Sequence, residues 1–231
     1  MTEARPRVAV VVFPGSNDDR DAALALEQLG ADPVLHWHAD GDLPDVGAVV
    51  LPGGFSYGDY LRAGAIARFS PAMRAVADFA ADGGPVLGIC NGFQVLCEAG
   101  LLPGVLRPNE SLSFVCEDVP LRVVGAGVAF LTRCEPGQRL TIPIKHGEGC
   151  YFADDALLGE LEEAGQIVLR YEENPNGSVD SVAGVVNADG NVMGLMPHPE
   201  HAVDPLIGST DGALILEALV DRARERLFAT A

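Results

Sequence analysis

A chain of 231 residues with 48% hydrophobic content can build a substantial α/β core, and residues 1–231 read as a single domain. The formal charge of −18 excludes nucleic acid and anionic membrane surfaces as partners, because phosphate neutralisation needs clustered Lys and Arg that this chain lacks. No apolar run of about 18 residues and no signal-like start occur, and the five scattered cysteines (90, 97, 116, 134, 150) form no C-x-x-C pair. A cytoplasmic protein with free thiols is expected, without membrane span, disulfide framework or metal site.

In chain order, residues 7–13 form a β-branched run ended by Pro14-Gly15, and residues 18–29 carry a helical pattern closed by Gly30. Short strands are expected at 32–37 and 48–51, the latter broken by Pro52-Gly53-Gly54. Ser70 as N-cap and Pro71 at the first helical position predict a helix over 70–81. Apolar strands alternating with amphipathic helices imply a doubly wound, mostly parallel sheet, whose sites form beyond the carboxyl ends of strands.

The pattern then changes. Between 114 and 144, β-type runs at 121–124, 128–131 and 140–144 separated by Gly and Pro suggest an antiparallel excursion attached to that sheet. Strands follow at 167–171, 182–186 and 192–196, with hairpin-closing turns at Asn174-Pro175-Asn176-Gly177 and Asp189-Gly190-Asn191. A helix over 211–227 ends the chain. Gly125-Ala126-Gly127 lacks the third glycine of a dinucleotide site, no Walker-type loop is present, and His36 and His38 read as structural.

The chemistry centres on residues 85–101. Val86 to Ile89 suit a buried strand, and Phe93, Leu96 and Cys97 fall at helical spacing, so the period switches at Cys90. Gly88 and Gly92 flank it as G-x-C-x-G, the thiol version of a nucleophile elbow, at a helix N-terminus whose unpaired N–H groups favour an anion. A small buried cysteine is the bland alternative. Gly53-Gly54 can present unobstructed N–H groups, and one of them with the N–H of Asn91 is expected to form an oxyanion hole, against the alternative of an ordinary Gly-Gly turn.

The last strand delivers Pro197-His198-Pro199-Glu200. Prolines on both sides should hold His198 extended, so that His198 and Glu200 project to one side as strand positions i and i+2 do. Cys90, His198 and Glu200 then supply nucleophile, base and orienter for acyl transfer through a thioester. Spacing alone leaves open a buried cysteine with an unrelated surface histidine. A hydrolase or peptidase of another elbow-thiol family, and a catalytically silent binding subunit, are also compatible. His146, in Lys145-His146-Gly147-Glu148-Gly149, fits either a satisfied loop histidine or a substrate contact.

Gly88-Ile89-Cys90-Asn91-Gly92-Phe93-Gln94 with His198-Pro199-Glu200 resembles the class I (triad) glutamine amidotransferases. Within them, the 13–17 and 52–64 blocks, His146-Gly147-Glu148-Gly149 and the 194–212 stretch are similar to the glutaminase subunits of phosphoribosylformylglycinamidine synthase. The resemblance implies a flavodoxin-like α/β fold and a Cys90, His198, Glu200 triad. It also implies oxyanion donors at Gly54 and Asn91, and a glutamine pocket near Gly53, Gln94 and His146. It implies L-glutamine as substrate, a large synthase subunit and a small bridging subunit as partners, and ATP and Mg used by the synthase, with no cofactor in this chain. Asp18, Ser113 and His201 depart from the family pattern; all three are expected to lie off the triad, with Ser113 and His201 bearing on partner docking.

Overall fold

The computed structural model describes residues 5–125 and 128–229, so Ala126 and Gly127 of the 125–127 stretch lie outside the described residues. Sixteen regular elements follow the chain: β1 (Arg7–Val12), α1 (Asp19–Gln28), β2 (Asp32–Trp37), β3 (Ala48–Leu51), α2 (Pro71–Ala81), β4 (Val86–Ile89), α3 (Asn91–Glu98), β5 (Val105–Arg107), β6 (Val115–Val123), β7 (Arg139–His146), β8 (Cys150–Phe152), α4 (Asp155–Glu163), β9 (Ile167–Tyr171), β10 (Val182–Val186), β11 (Val192–Leu195) and α5 (Asp211–Ala229).

Nine strands form one sheet in the order β2-β1-β3-β4-β11-β10-β9-β6-β7. The first five run parallel, and every pairing from β11 to β7 is antiparallel. β3 and β4 are buried at every position, as strands covered on both faces must be, which is why they read as unbroken apolar runs. Because β1, β3, β4 and β11 are parallel, their carboxyl ends open on one edge of the sheet. Asp18, Gly53, Cys90 and His198 all follow those ends.

Two expectations change. Val128 to Leu131 carries strand-like residues, yet Ala129–Leu131 is a 3₁₀ turn whose Phe130 and Leu131 are buried in the main core; tertiary burial overrides β-propensity there. Ser70 does precede α2, but its side chain caps nothing, and its buried Oγ has no hydrogen-bond partner. The sequence reading also passed over α4, whose N-cap is real: Asp154 Oδ1 accepts from Leu157 N at 2.9 Å. All five cysteines are free thiols. Among the described residues, no helix is long and apolar enough to cross a membrane.

Candidate active site

β4 ends on Cys90, which sits at φ 50°, ψ −103°, a conformation costly for any residue with a side chain. The flanking glycines make that turn sterically feasible. A Cβ at Gly88 would lie 2.8 Å from the Gly92 carbonyl, and one at Gly92 would lie 2.0 Å from the Leu51 carbonyl oxygen of β3. The Cys90 N–H donates to Leu195 O at 2.8 Å, tying the elbow to the end of β11. The strand-turn-helix geometry expected of a nucleophile elbow is present.

His198 follows β11, and its N–H donates to Pro143 O at 2.8 Å. It pairs with Glu200 by a route other than an extended strand. Pro199–His201 is a 3₁₀ turn closed by His201 N donating to His198 O at 3.1 Å, and the turn swings Glu200 Oε1 to within 2.7 Å of His198 Nδ1. A proline's fixed φ suits the first position of such a turn as well as it suits extended chain, which is why the spacing alone misassigned the backbone. Both side chains are buried. A carboxylate can only accept, so Nδ1 donates to Glu200, while Nε2 points away from it and has no other hydrogen-bond partner of ordinary geometry among the described residues. Burial would lower the proton affinity of His198, but the Glu200 carboxylate and then Cys90 outweigh it and raise the imidazole above its ordinary range. The Cys90 sulfur lies against the ring, and its thiol makes a weak hydrogen bond to Lys145 O at 3.8 Å.

Asp18 and His201 correct an expectation, because both lie against the residues expected to form the triad, His198 and Glu200. Asp18 Oδ2 is 3.8 Å from His198 Nδ1, and its Oδ1 is 2.5 Å from Lys145 Nζ and 3.5 Å from His201 Nε2. His201 Nε2 stands 2.9 Å from Lys145 Nζ and 3.7 Å from Glu200 Oε1. The Lys145 ammonium thus supplies the positive charge among these acids. Burial would raise the Asp18 carboxyl, but hydrogen bonds from His201 and Lys145 hold it far below the usual carboxylate range. Ser113 is exposed and bonds Ser111, away from the triad.

Cys90 opens into a cavity of about 240 Å³, whose lining includes Gly54, Asp59, Gln94, His146 and Glu148. That is smaller than the roughly 300–1,000 Å³ typical for drug-sized ligands, and suits an amino acid. Three larger hollows, of about 750, 740 and 430 Å³, have no cysteine or histidine among their described lining residues. Gly53 lies outside the cavity lining, behind His198: a Cβ there would meet Asp18 Oδ2 at 2.4 Å and His198 Cε1 at 2.7 Å. Asn91 braces the elbow, accepting from Ser56 N at 3.1 Å and donating to Gln94 Oε1 at 2.8 Å, while Gln94 Nε2 donates to Glu148 O at 2.6 Å.

His146 lines the cavity with both ring nitrogens committed inward, Nδ1 to Asn109 Oδ1 at 3.1 Å and Nε2 to Asn176 Nδ2 at 3.4 Å. Burial first, and then His198, push its proton affinity down to about 4, so it is neutral. Asp59, which the sequence reading passed over, is held at φ 53° and pushed up to about 6 by burial and by Glu148. The strained positions Tyr57, Asp59 and Leu61 share one loop with Gly58 and Gly64, and the glycine-rich 52–64 block was the available signal.

Comparison with known proteins places this arrangement. A family model described as a CobB/CobQ-like glutamine amidotransferase domain matches residues 5–211. The chain belongs to that glutamine amidotransferase family. Among its relatives, the phosphoribosylformylglycinamidine synthase subunit PurQ of Rubrobacter xylanophilus is 60% identical over 218 residues, 94% of this chain and 99% of the relative. PurQ of Mycolicibacterium paratuberculosis is 59% identical over 208 residues, 90% of this chain and 93% of the relative. A solved PurLQS structure from Thermotoga maritima matches this amidotransferase with a TM-score of 0.87 at 45% identity, covering 94% of this chain and 99% of that one. A more distant glutamine amidotransferase from Thermotoga maritima, at 16% identity and a TM-score of 0.59 over 97% of this chain and 99% of that one, shares the fold.

Proposed function

We propose that this chain is the glutaminase subunit of phosphoribosylformylglycinamidine synthase, releasing ammonia from L-glutamine for an ATP-using synthase subunit. The observation that carries the reading is a thiol on a strained elbow, in an amino-acid-sized cavity, beside a buried imidazole already bonded to a carboxylate. The names of the PurQ relatives and of the PurLQS structure support an assembly of several subunits, in which this chain's partners are a large synthase subunit and a small bridging subunit. ATP and Mg belong to the synthase, the reaction runs in the cytoplasm, and this chain works as one amidotransferase domain without a metal of its own.

The chemistry follows from the geometry. With its proton passed to His198 Nε2, the Cys90 sulfur attacks the carboxamide carbon of glutamine, and Glu200 holds the ring by Nδ1 and favours the cation that keeps this proton ready for the leaving nitrogen. The tetrahedral oxyanion lies toward the backbone N–H groups of Gly54 and Asn91, each such donor contributing about 3 kcal/mol. His198 returns the proton to the departing nitrogen, so ammonia leaves and a glutamyl thioester stays on Cys90. Water activated by the same imidazole then releases glutamate and restores the thiol. Asp59 and Glu148 form an acidic wall suited to the substrate's α-ammonium group. Exposed Phe55 and Phe114, whose rings stand 6.4 Å apart on the cavity lining, provide an apolar contact for the synthase.

The test is to label the assembled complex with a glutamine-like electrophile and map the modified residue, alongside glutamate release by Cys90→Ala. Labelling at Cys90 and loss of release support the reading. Labelling elsewhere refutes the nucleophile, partner-independent cleavage of esters or peptides points to another hydrolase, and intact glutamine in the unmutated complex points to a silent binding subunit.

A further inference from the structure

The triad imidazole is faced by more charge than a triad requires. Around His198 stand Glu200 and His201 from its own turn, Asp18 from the start of α1, Cys90 from the elbow, and His146 and Lys145 from the end of β7. Asp18 is the unexpected member. Its buried carboxylate reaches to 3.8 Å from the same Nδ1 that Glu200 holds, and it can do so because residue 53 has no side chain to occupy the space between.

A second anion at that distance would by itself stabilise the imidazolium further, and an unpaired buried carboxylate would be costly. Lys145 answers both problems. Its ammonium lies on the far carboxylate oxygen, Oδ1, and its backbone carbonyl is the acceptor facing the Cys90 thiol. One residue thus touches the nucleophile through its main chain and, through Asp18, the base.

Resting on the glutaminase reading above, we propose that Asp18 and Lys145 are a charge-compensated pair of positioning residues that fixes the His198 ring and sets how tightly it holds its proton. Asp18 gives the imidazole a second carboxylate, and Lys145 limits the strength of that second pull. The two charges act in opposite directions on the same proton, which makes the idea separable from a merely structural role.

The experiment measures glutamate release by the full complex against pH for the parent, Asp18→Asn, Lys145→Met and the double variant. Activity falls on the alkaline side when the proton held by His198 is lost. Asp18→Asn leaves the ammonium uncompensated near the ring, so that limb moves to lower pH by about one unit; Lys145→Met leaves the carboxylate uncompensated and moves it up by about one unit. The double variant returns toward the parent. The same order is expected when His198 is titrated by NMR in this chain, a readout that needs no turnover. Superimposable profiles in both measurements, or shifts of Asp18→Asn and Lys145→Met in one direction, overturn the proposal. A parent complex that leaves glutamine intact refutes the functional reading instead, and the NMR order then decides the charge pair alone.

Discussion

Adding one methyl group at position 53 tests the site's construction most sharply, because the residue contacts the base rather than the substrate cavity. The Cβ of Gly53→Ala would stand 2.4 Å from Asp18 Oδ2 and 2.7 Å from His198 Cε1. Regaining an ordinary contact of 3.4 Å requires the carboxylate to retreat by about 1 Å and the ring by about 0.7 Å. Neither can move freely. Asp18 is clamped by Lys145, while His198 is held at Nδ1 by Glu200 and through its backbone by Pro143. Overpacking of this kind costs about 1–3 kcal/mol of stability, and a displacement near 1 Å in a catalytic group costs about 10²-fold in rate, or roughly 2.7 kcal/mol of transition-state stabilisation. Glutamate release by the assembled complex should therefore show kcat/KM down by about 10²-fold, mostly in kcat, with a lowered Tm. Gly41→Ala, where a Cβ meets nothing within 4 Å, is the control and should leave both unchanged. Parent-level kcat/KM in Gly53→Ala would show that the ring is not held where the structure puts it.

Further outcomes at Glu200, Asp59 and His146 follow from the same geometry. Glu200→Gln keeps the shape but removes the charge that raises the proton affinity of His198; kcat should fall by about 10⁴-fold, with the alkaline limb moving to lower pH, and an unchanged limb would sink the orienting role. Because that affinity is raised, the pairing stabilises the fold fully below the ordinary imidazole range and is lost as pH climbs through the raised value, which denaturation across the alkaline range can follow. Asp59, poised at about 6, should lose its hold on the α-ammonium group as it protonates; KM for glutamine is expected to rise below pH 6 in the parent and to be high and flat in Asp59→Asn. His146 stays neutral down to about 4, whereas the unfolded imidazole takes its proton near the ordinary 6.5, so its contribution to stability declines as pH falls through that window. His146→Ala should cost about 1–3 kcal/mol in urea titrations, the net worth of its two buried hydrogen bonds to Asn109 and Asn176, both of which keep Gly149 as a partner.

What the sequence disclosed depended on the distance over which each feature is determined. The elbow is a local object: two glycines and a change of period within ten residues specify it, and Gly88 and Gly92 prove to be the positions where a Cβ cannot fit. The meeting of Cys90 with His198 is not local, and it was legible only because parallel strands deliver their carboxyl ends to one edge. Even there the side chains of His198 and Glu200 meet while the expected extended backbone does not form, since Pro199 opens a 3₁₀ turn. The Asp18–Lys145 contact spans 127 positions and carries no pattern at either end. Taken singly, an aspartate before a helix is a cap and a lysine in a loop is a solvated charge. Here the aspartate makes no side-chain cap at all, because its carboxylate is turned toward the imidazole and the ammonium. A cap-type residue that leaves its cap unmade while buried is using its oxygens elsewhere: here one is on the Lys145 ammonium at 2.5 Å and the other faces His198 Nδ1 at 3.8 Å.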